Sequence, residues 1–285
     1  MIKGVILDVD GVLVGDKEGY NWPSPHLDVI KALQSLRAQG FVISLCTGKG
    51  TFAIREIVER AHLDNLHIGD GGAVIIDFLN KQVIEKHTIP SSVAKKILQT
   101  YHGEGIYLEL YTTEGYFVEK ASVCEITEKH SAILYCKPTI VDSFDDIVST
   151  LEIVKIMPVA IDGVQKKSVT QKFSEYMQQL TLQWGVHPTA FPLQFGIITL
   201  LGISKSHAAQ VISQTTGVSL AQMLGIGDGL SDWGFMELCG YAGAMGNASW
   251  ELKELVNGRD TGYIGRSVNE NGVLDIMKHF NISYS

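Results

Sequence analysis

Four cysteines in 285 residues (Cys46, Cys124, Cys136 and Cys239) never fall in a C-x-x-C spacing, so neither a zinc ribbon nor a disulfide framework is indicated and buried free thiols are expected. No Lys/Arg run exceeds a pair, and the formal net charge is -8. The chain therefore lacks the basic footprint that nucleic acid or an anionic membrane requires of its main partner. Long apolar runs are missing too. The first, in MIKGVILDVDG, lasts about five residues before aspartates end it, too short for a signal-peptide core or a membrane span, so a cytoplasmic location is expected. What is present is 45% hydrophobic and 19% charged residues, the balance of a soluble globular protein, with a length that suits one domain with a large insertion or two in tandem.

Three segments share one grammar: an apolar, β-branched run, an abrupt polar residue with glycine, then a helical pattern. They are Gly4 to Leu7 ending at Asp8, Phe41 to Cys46 ending at Thr47-Gly48, and Leu220 to Ile226 ending at Gly227-Asp228-Gly229. Apolar strands alternating with helices indicate an α/β, Rossmann-like parallel sheet covered on both faces, with ligands expected beyond the carboxyl ends of the strands. Helical spacing appears over 26–39, 51–63, 205–216 and 249–256. Both ends of the chain, 1–85 and 189–285, thus read as one discontinuous α/β domain.

Residues 86–188 have a different character. Ile106 to Lys120 alternates around Thr113-Glu114-Gly115 as a β-hairpin, Leu151 to Ile161 reads as a strand, and helical patterns cover 91–101, 142–150 and 169–184. This is an inserted α+β cap. Tyr107, Tyr111, Tyr116 and Phe117 are expected in its core rather than facing a ligand.

Asp8 and Asp10, two apart on an extended chain, point to the same side and can share one small volume, although Asp-Gly is also an ordinary turn signal. Were Asp228 and Asp232 to lie beside them, up to four carboxylates would meet and demand a cation, for which Mg²⁺ suits an oxygen-only set. Thr47 and Gly48, in a glycine-rich turn leading into a helix, offer a hydroxyl and free N–H groups to an anion, or merely cap the helix. Lys205 opens a helix where the dipole opposes a cation; it is either exposed or neutralised by a bound anion. His62, His67, His87 and His102 show no metal-ligand spacing. Gly69-Asp70-Gly71-Gly72 precedes a strand rather than a helix, which excludes a dinucleotide loop.

These residues, in order, resemble the haloacid dehalogenase (HAD) superfamily and within it the Cof-type phosphatases of subclass IIB. The matching segments are DVDGVL at Asp8–Leu13, TGK at Thr47–Lys49, the lysine of GISKSHA, GDGLSD at Gly227–Asp232 and the following Met245-Gly246-Asn247-Ala248. The resemblance implies a Rossmann-like HAD core with a C2-type cap and hydrolysis of a small phosphorylated metabolite. It makes Asp8 the nucleophile of an aspartyl-phosphate and Asp10 the acid/base. Thr47, Gly48, Lys205 and Ser231 become phosphate-binding; Asp8, Asp10 (through its carbonyl) and Asp228 become Mg²⁺ ligands, with Asp232 orienting them. It further implies an ionised Asp8 beside a protonated Asp10.

Val12, Lys49 and Ser231 stand where the family more often has threonine, arginine and asparagine. A phosphotransferase or phosphomutase using the same aspartate, or a non-catalytic phosphometabolite-binding protein, are the alternatives. The absence of arginine between Lys86 and Pro188 favours a neutral, sugar-like leaving group. Oligomeric state, monomer or homodimer, is not legible. Hinges are expected at 81–86 and 188–192.

Overall fold

The computed structural model describes residues 1–284. The chain begins with β1 (Gly4–Leu7), α1 (Leu27–Ala38), β2 (Val42–Leu45) and α2 (Arg55–Arg60), followed by β3 (Leu66–Gly69), β4 (Val74–Asp77) and β5 (Gln82–Lys86). It continues through α3 (Ser91–His102), β6 (Tyr107–Tyr111), β7 (Tyr116–Glu119), α4 (Glu125–Leu134), β8 (Thr139–Val141) and α5 (Phe144–Ile147). Next come β9 (Lys155–Ala160), α6 (Gly163–Phe173), β10 (Leu180–Gly185) and β11 (Gln194–Leu200). The last third holds α7 (Lys205–Thr216), β12 (Met223–Gly227), α8 (Leu230–Met236), β13 (Tyr241–Ala244), α9 (Trp250–Asn257), β14 (Gly262–Ile264) and α10 (Gly272–His279).

Five parallel strands form the first sheet in the order β14-β13-β12-β1-β2. Every residue of β1 is buried, as an apolar strand covered on both faces requires. Leu7 pairs with both Leu45 and Ile226, so Asp8, Cys46-Thr47 and Gly227-Asp228 all leave the sheet at one edge. An antiparallel sheet, β3-β4-β5, adjoins β2 through a parallel bridge between Cys46 and Ile68.

The second large sheet has the order β10-β11-β9-β6-β7-β8. Its two faces are separated by strand alternation. Leu108, Leu110, Ile156 and Ile198 join the core under α3 and α6, whereas Tyr107, Tyr111, Met157, Val159, Phe195 and Ile197 form a separate cluster with Ala73, Val74 and Ile203 of the first body. The α/β core with an inserted α+β layer is as expected. The sheet containing the insertion extends to Leu200, however, beyond the expected boundary at 188, because β11 pairs with β9 and β10.

The expected helix over 169–184 is also corrected. Asp162 caps α6 early, its Oδ1 accepting the Gln165 N–H at 2.8 Å, and Leu180, Leu182 and Trp184 alternate in β10. The expected hinges shift accordingly. Residues 82–86 are locked in β5 and 188–192 lie within the β10–β11 loop, so the chain crosses between the bodies at 87–90 and 201–204. Among the described residues no helix is long and apolar enough to cross a membrane.

Candidate active site

At the shared edge of β1, β2 and β12, Lys205 Nζ lies 2.9 Å from Asp8 Oδ1 and 2.6 Å from Asp232 Oδ1. Ser204 caps α7, and the helix therefore opens with a cation that two carboxylates, rather than solvent, neutralise. The second oxygen of Asp232 accepts the N–H groups of Asp228 and Gly229 at 3.1 and 2.9 Å. With both oxygens engaged, Asp232 holds the Asp228 loop in place.

Asp228 is different. Its Oδ2 accepts only a long bond from Asn247 Nδ2 at 3.3 Å, and the same amide donates to the Gly11 carbonyl at 2.8 Å. Gly11 has a φ of +77°, and a Cβ there would stand 1.9 Å from Asp228 Oδ2. Only glycine lets the β1 loop and this carboxylate approach so closely. Burial first, then Asp232 and Asp8, raise the Asp228 carboxyl well above its ordinary range. Oxygen atoms of Asp8, Asp228 and Asp232 lie within 4.8 Å of one another. A crowded, all-oxygen set whose charge is otherwise disfavoured fits a hard divalent cation.

Asp8 and Asp10 stand in opposed environments. Burial and then Asp232 push Asp8 up to about 7, against the pull of Lys205. Burial alone would raise Asp10 as well, yet Lys49 at 2.7 Å and His187 at 3.1 Å outweigh it and hold the carboxyl well below the usual range. The difference lies in the partners: Asp8 shares Lys205 with Asp232, whereas Lys49 and His187 both face Asp10.

Thr47 is buried, and its Oγ1 accepts the Lys49 N–H at 3.1 Å, which leaves the hydroxyl proton to donate. The Gly48 carbonyl accepts from Lys155 Nζ at 2.7 Å, while its N–H has no partner among the described residues. A Cβ at Gly48 would come within 2.5 Å of Ile197 on β11. Thr47, Gly48, Ser231 and Lys205 all line one cavity of about 80 Å³ with Asp8 and Asp10, so the structure brings these predicted residues together. Asp228 and Asp232 stand behind it.

The opposite wall was not anticipated. It comes from the inserted layer and contains Tyr111 and Lys155 of the second sheet, His130 of α4 and His187 of the β10–β11 loop. Glu109, fully buried, accepts from the Tyr111 hydroxyl at 2.6 Å and pairs with His130 Nδ1 at 2.8 Å. Lys155 pairs with Asp70 at 2.9 Å, both residues being fully buried. A lysine inside the apolar run of β9 was a readable signal for Lys155; His187, in a loop, offered none. Tyr111 packs in the core as expected and lines the cavity as well.

A family model for haloacid dehalogenase-like hydrolases matches residues 5–277. A Streptococcus pyogenes protein carrying a provisional phosphatase name is 25% identical over 280 residues, 97% of each chain. A pyridoxal phosphate phosphatase of Escherichia coli is 24% identical over 263 residues, 89% of this chain and 91% of that one. Among solved structures, one described as a HAD subclass IIB sugar phosphatase superposes with a TM-score of 0.79 at 23% identity, covering 99% of this chain and 100% of that one.

Proposed function

We propose, for a chain that belongs to the haloacid dehalogenase-like hydrolases and is a Cof-type phosphatase, that it hydrolyses a small, sugar-like phosphate monoester through an aspartyl-phosphate on Asp8, with Mg²⁺, in the cytoplasm. The observation that carries this reading is the convergence of Asp8, Asp10, Thr47, Gly48, Lys205 and Ser231 on one small cavity. Asp8, Asp228 and the Asp10 carbonyl would hold Mg²⁺, and Asp232 would orient them. When bound, the ion neutralises these carboxylates and stabilises charge on the phosphoryl oxygens.

In the first step an oxygen of Asp8 bonds to phosphorus as the bond to the leaving alkoxide breaks, and Asp10 gives that alkoxide a proton. Water then attacks phosphorus, Asp10 takes the proton, and inorganic phosphate leaves with Asp8 restored. Thr47, the Gly48 N–H, Ser231 and Lys205 hold the equatorial oxygens, where charge must be stabilised. Lys49 and His187 both face Asp10 Oδ1, at 2.7 and 3.1 Å, and His187 lines the cavity with it.

A cavity of about 80 Å³ is far below the ~300 Å³ at which small-molecule sites begin. The inserted layer, 91–200, therefore swings away at 87–90 and 201–204 to admit substrate. Tyr111, His130 and Lys155 would then meet the leaving group. None is arginine, consistent with a neutral, hydroxyl-rich moiety rather than a second phosphate. The relatives named for a sugar phosphate and for pyridoxal phosphate bracket this size class.

The test is phosphate release from a panel of sugar phosphates, nucleotides and pyridoxal phosphate, with Mg²⁺ or with EDTA, for the native protein and Asp8→Asn. Release that needs Mg²⁺ and vanishes in the variant is expected. Full activity of Asp8→Asn, or of the EDTA-treated protein, would overturn the mechanism.

A further inference from the structure

A second group of metal-competent side chains lies outside the cavity, where β5 leads towards the inserted layer. Glu85 Oε2 is 2.9 Å from His87 Nε2 and 3.2 Å from His207 Nε2. The two imidazoles come from different parts of the chain, His87 from the residue after β5 and His207 from the first turn of α7. Their rings are 5.4 Å apart and nearly perpendicular, so they converge on one carboxylate oxygen rather than stack on each other. All three side chains are about one-third exposed, and their ligand atoms lie within 4.8 Å of one another. Sequence spacing hid the group because His207 is 120 positions from His87.

We propose that Glu85, His87 and His207 form a binding site for a borderline divalent transition ion of the Zn²⁺ class, distinct from the carboxylate set at Asp8 and Asp228. Two imidazole nitrogens and one carboxylate oxygen match the three-ligand, open-position donor set of zinc, whereas Mg²⁺ and Ca²⁺ prefer oxygen alone. Ligation replaces the two N–H to carboxylate bonds with nitrogen lone pairs on the ion, so each ring carries its proton on Nδ1. Exposure supplies the entry path and a water for the open position.

The place of the group gives it a consequence. The His87 N–H donates to the Ala73 carbonyl at 2.9 Å, and a Cβ on neighbouring Gly72 would lie 2.2 Å from the Ser204 carbonyl. The turn ending at Ala73, the exit of β5 and the start of α7 are therefore packed as one unit. An ion there ties the first crossing at 87–90 to the helix whose first residue is Lys205. This inference does not depend on the proposed substrate or on the aspartyl-phosphate.

The experiment loads the full chain with Co²⁺ or Zn²⁺ in a large excess of Mg²⁺, so that the carboxylate site is occupied by the hard ion. Calorimetry counts bound Zn²⁺, and Co²⁺ visible absorption reports coordination. One equivalent of Zn²⁺ is expected, with the intense absorption of low-coordinate nitrogen-ligated Co²⁺ rather than the weak bands of a six-coordinate oxygen set. His87→Ala and His207→Ala should each weaken binding by at least about tenfold, the loss that even removal of an outer partner of a metal ligand brings. The Zn²⁺-induced rise in Tm should fall with it. Glu85→Gln, which keeps the shape, provides a third variant. No Zn²⁺ bound above the Mg²⁺-protected level, or binding unchanged in both histidine variants, would overturn the proposal.

Discussion

Lys155 of the inserted layer reaches across the boundary between the two bodies and sets its ammonium 2.9 Å from Asp70 Oδ1, with no solvent exposure on either side chain. Its Nζ also donates to the Gly48 carbonyl and lies 3.7 Å from the centre of the Tyr111 ring. Burial raises the Asp70 carboxyl and lowers the Lys155 ammonium, so desolvation opposes both charges and the closed contact is held only while each partner has the other.

Removing one partner is therefore worse than removing both. Lys155→Ala should destabilise the closed protein by about 3–5 kcal/mol, the cost of orphaning a buried charge. Lys155→Met combined with Asp70→Asn should recover most of that loss in urea unfolding. If the double variant were as unstable as Lys155→Ala, the pair would not be the source.

Gly11 is the tightest point of the site. Gly11→Ala places a methyl group against Asp228 Oδ2 and forces a non-glycine residue into positive φ. A displacement of about 1 Å at a reacting centre is worth on the order of 100-fold in rate. Steady-state kinetics should show that drop with the far-UV circular dichroism unchanged.

Asp228 carries a charge that its surroundings disfavour. Burial and the neighbouring Asp232 and Asp8 disfavour its charge, so Asp228→Asn should raise Tm in EDTA while abolishing turnover. Native protein should gain about 3 kcal/mol from Mg²⁺ at 100 times Kd, and the variant very little. A variant stabilised by Mg²⁺ as strongly as the native protein would place the ion elsewhere.

His67 predicts how stability depends on pH. It is fully buried in β3, Nδ1 accepting the Leu45 N–H at 3.2 Å and Nε2 facing the Leu63 carbonyl, and burial lowers its pKa from 6.5 to about 4. The unfolded chain then binds more protons than the native one between these values. This contribution, roughly 3 kcal/mol, is complete above pH 6.5, is lost as pH falls towards 4, and changes no further below that. His67→Gln should flatten that part of the curve in urea titrations at pH 7, 5.5 and 4.5.

The half of the candidate site built on the first sheet was legible because it is local. Asp8, Asp10, Thr47, Gly48 and the Gly227–Asp232 segment each sit where an apolar strand stops, and strand ends in a parallel sheet face one edge. Lys205 was legible as a cation in the wrong place on a helix. The boundary at 188 and the helix over 169–184 failed for one reason. Strands β10 and β11 are defined by partners distant in sequence, and periodicity within a short window does not report those partners.

The sequence by itself determined the α/β core, the inserted layer and the polar groups gathered at the strand ends, because alternation, strand-end polarity and motif order are properties of neighbouring residues. Only the tertiary structure decided which side chains of the inserted layer close the cavity, that Asp8 and Asp10 face opposed partners, and that Glu85, His87 and His207 meet. Those outcomes depend on distance and burial. Both are set when separate elements pack, and neither has a local signature in the chain.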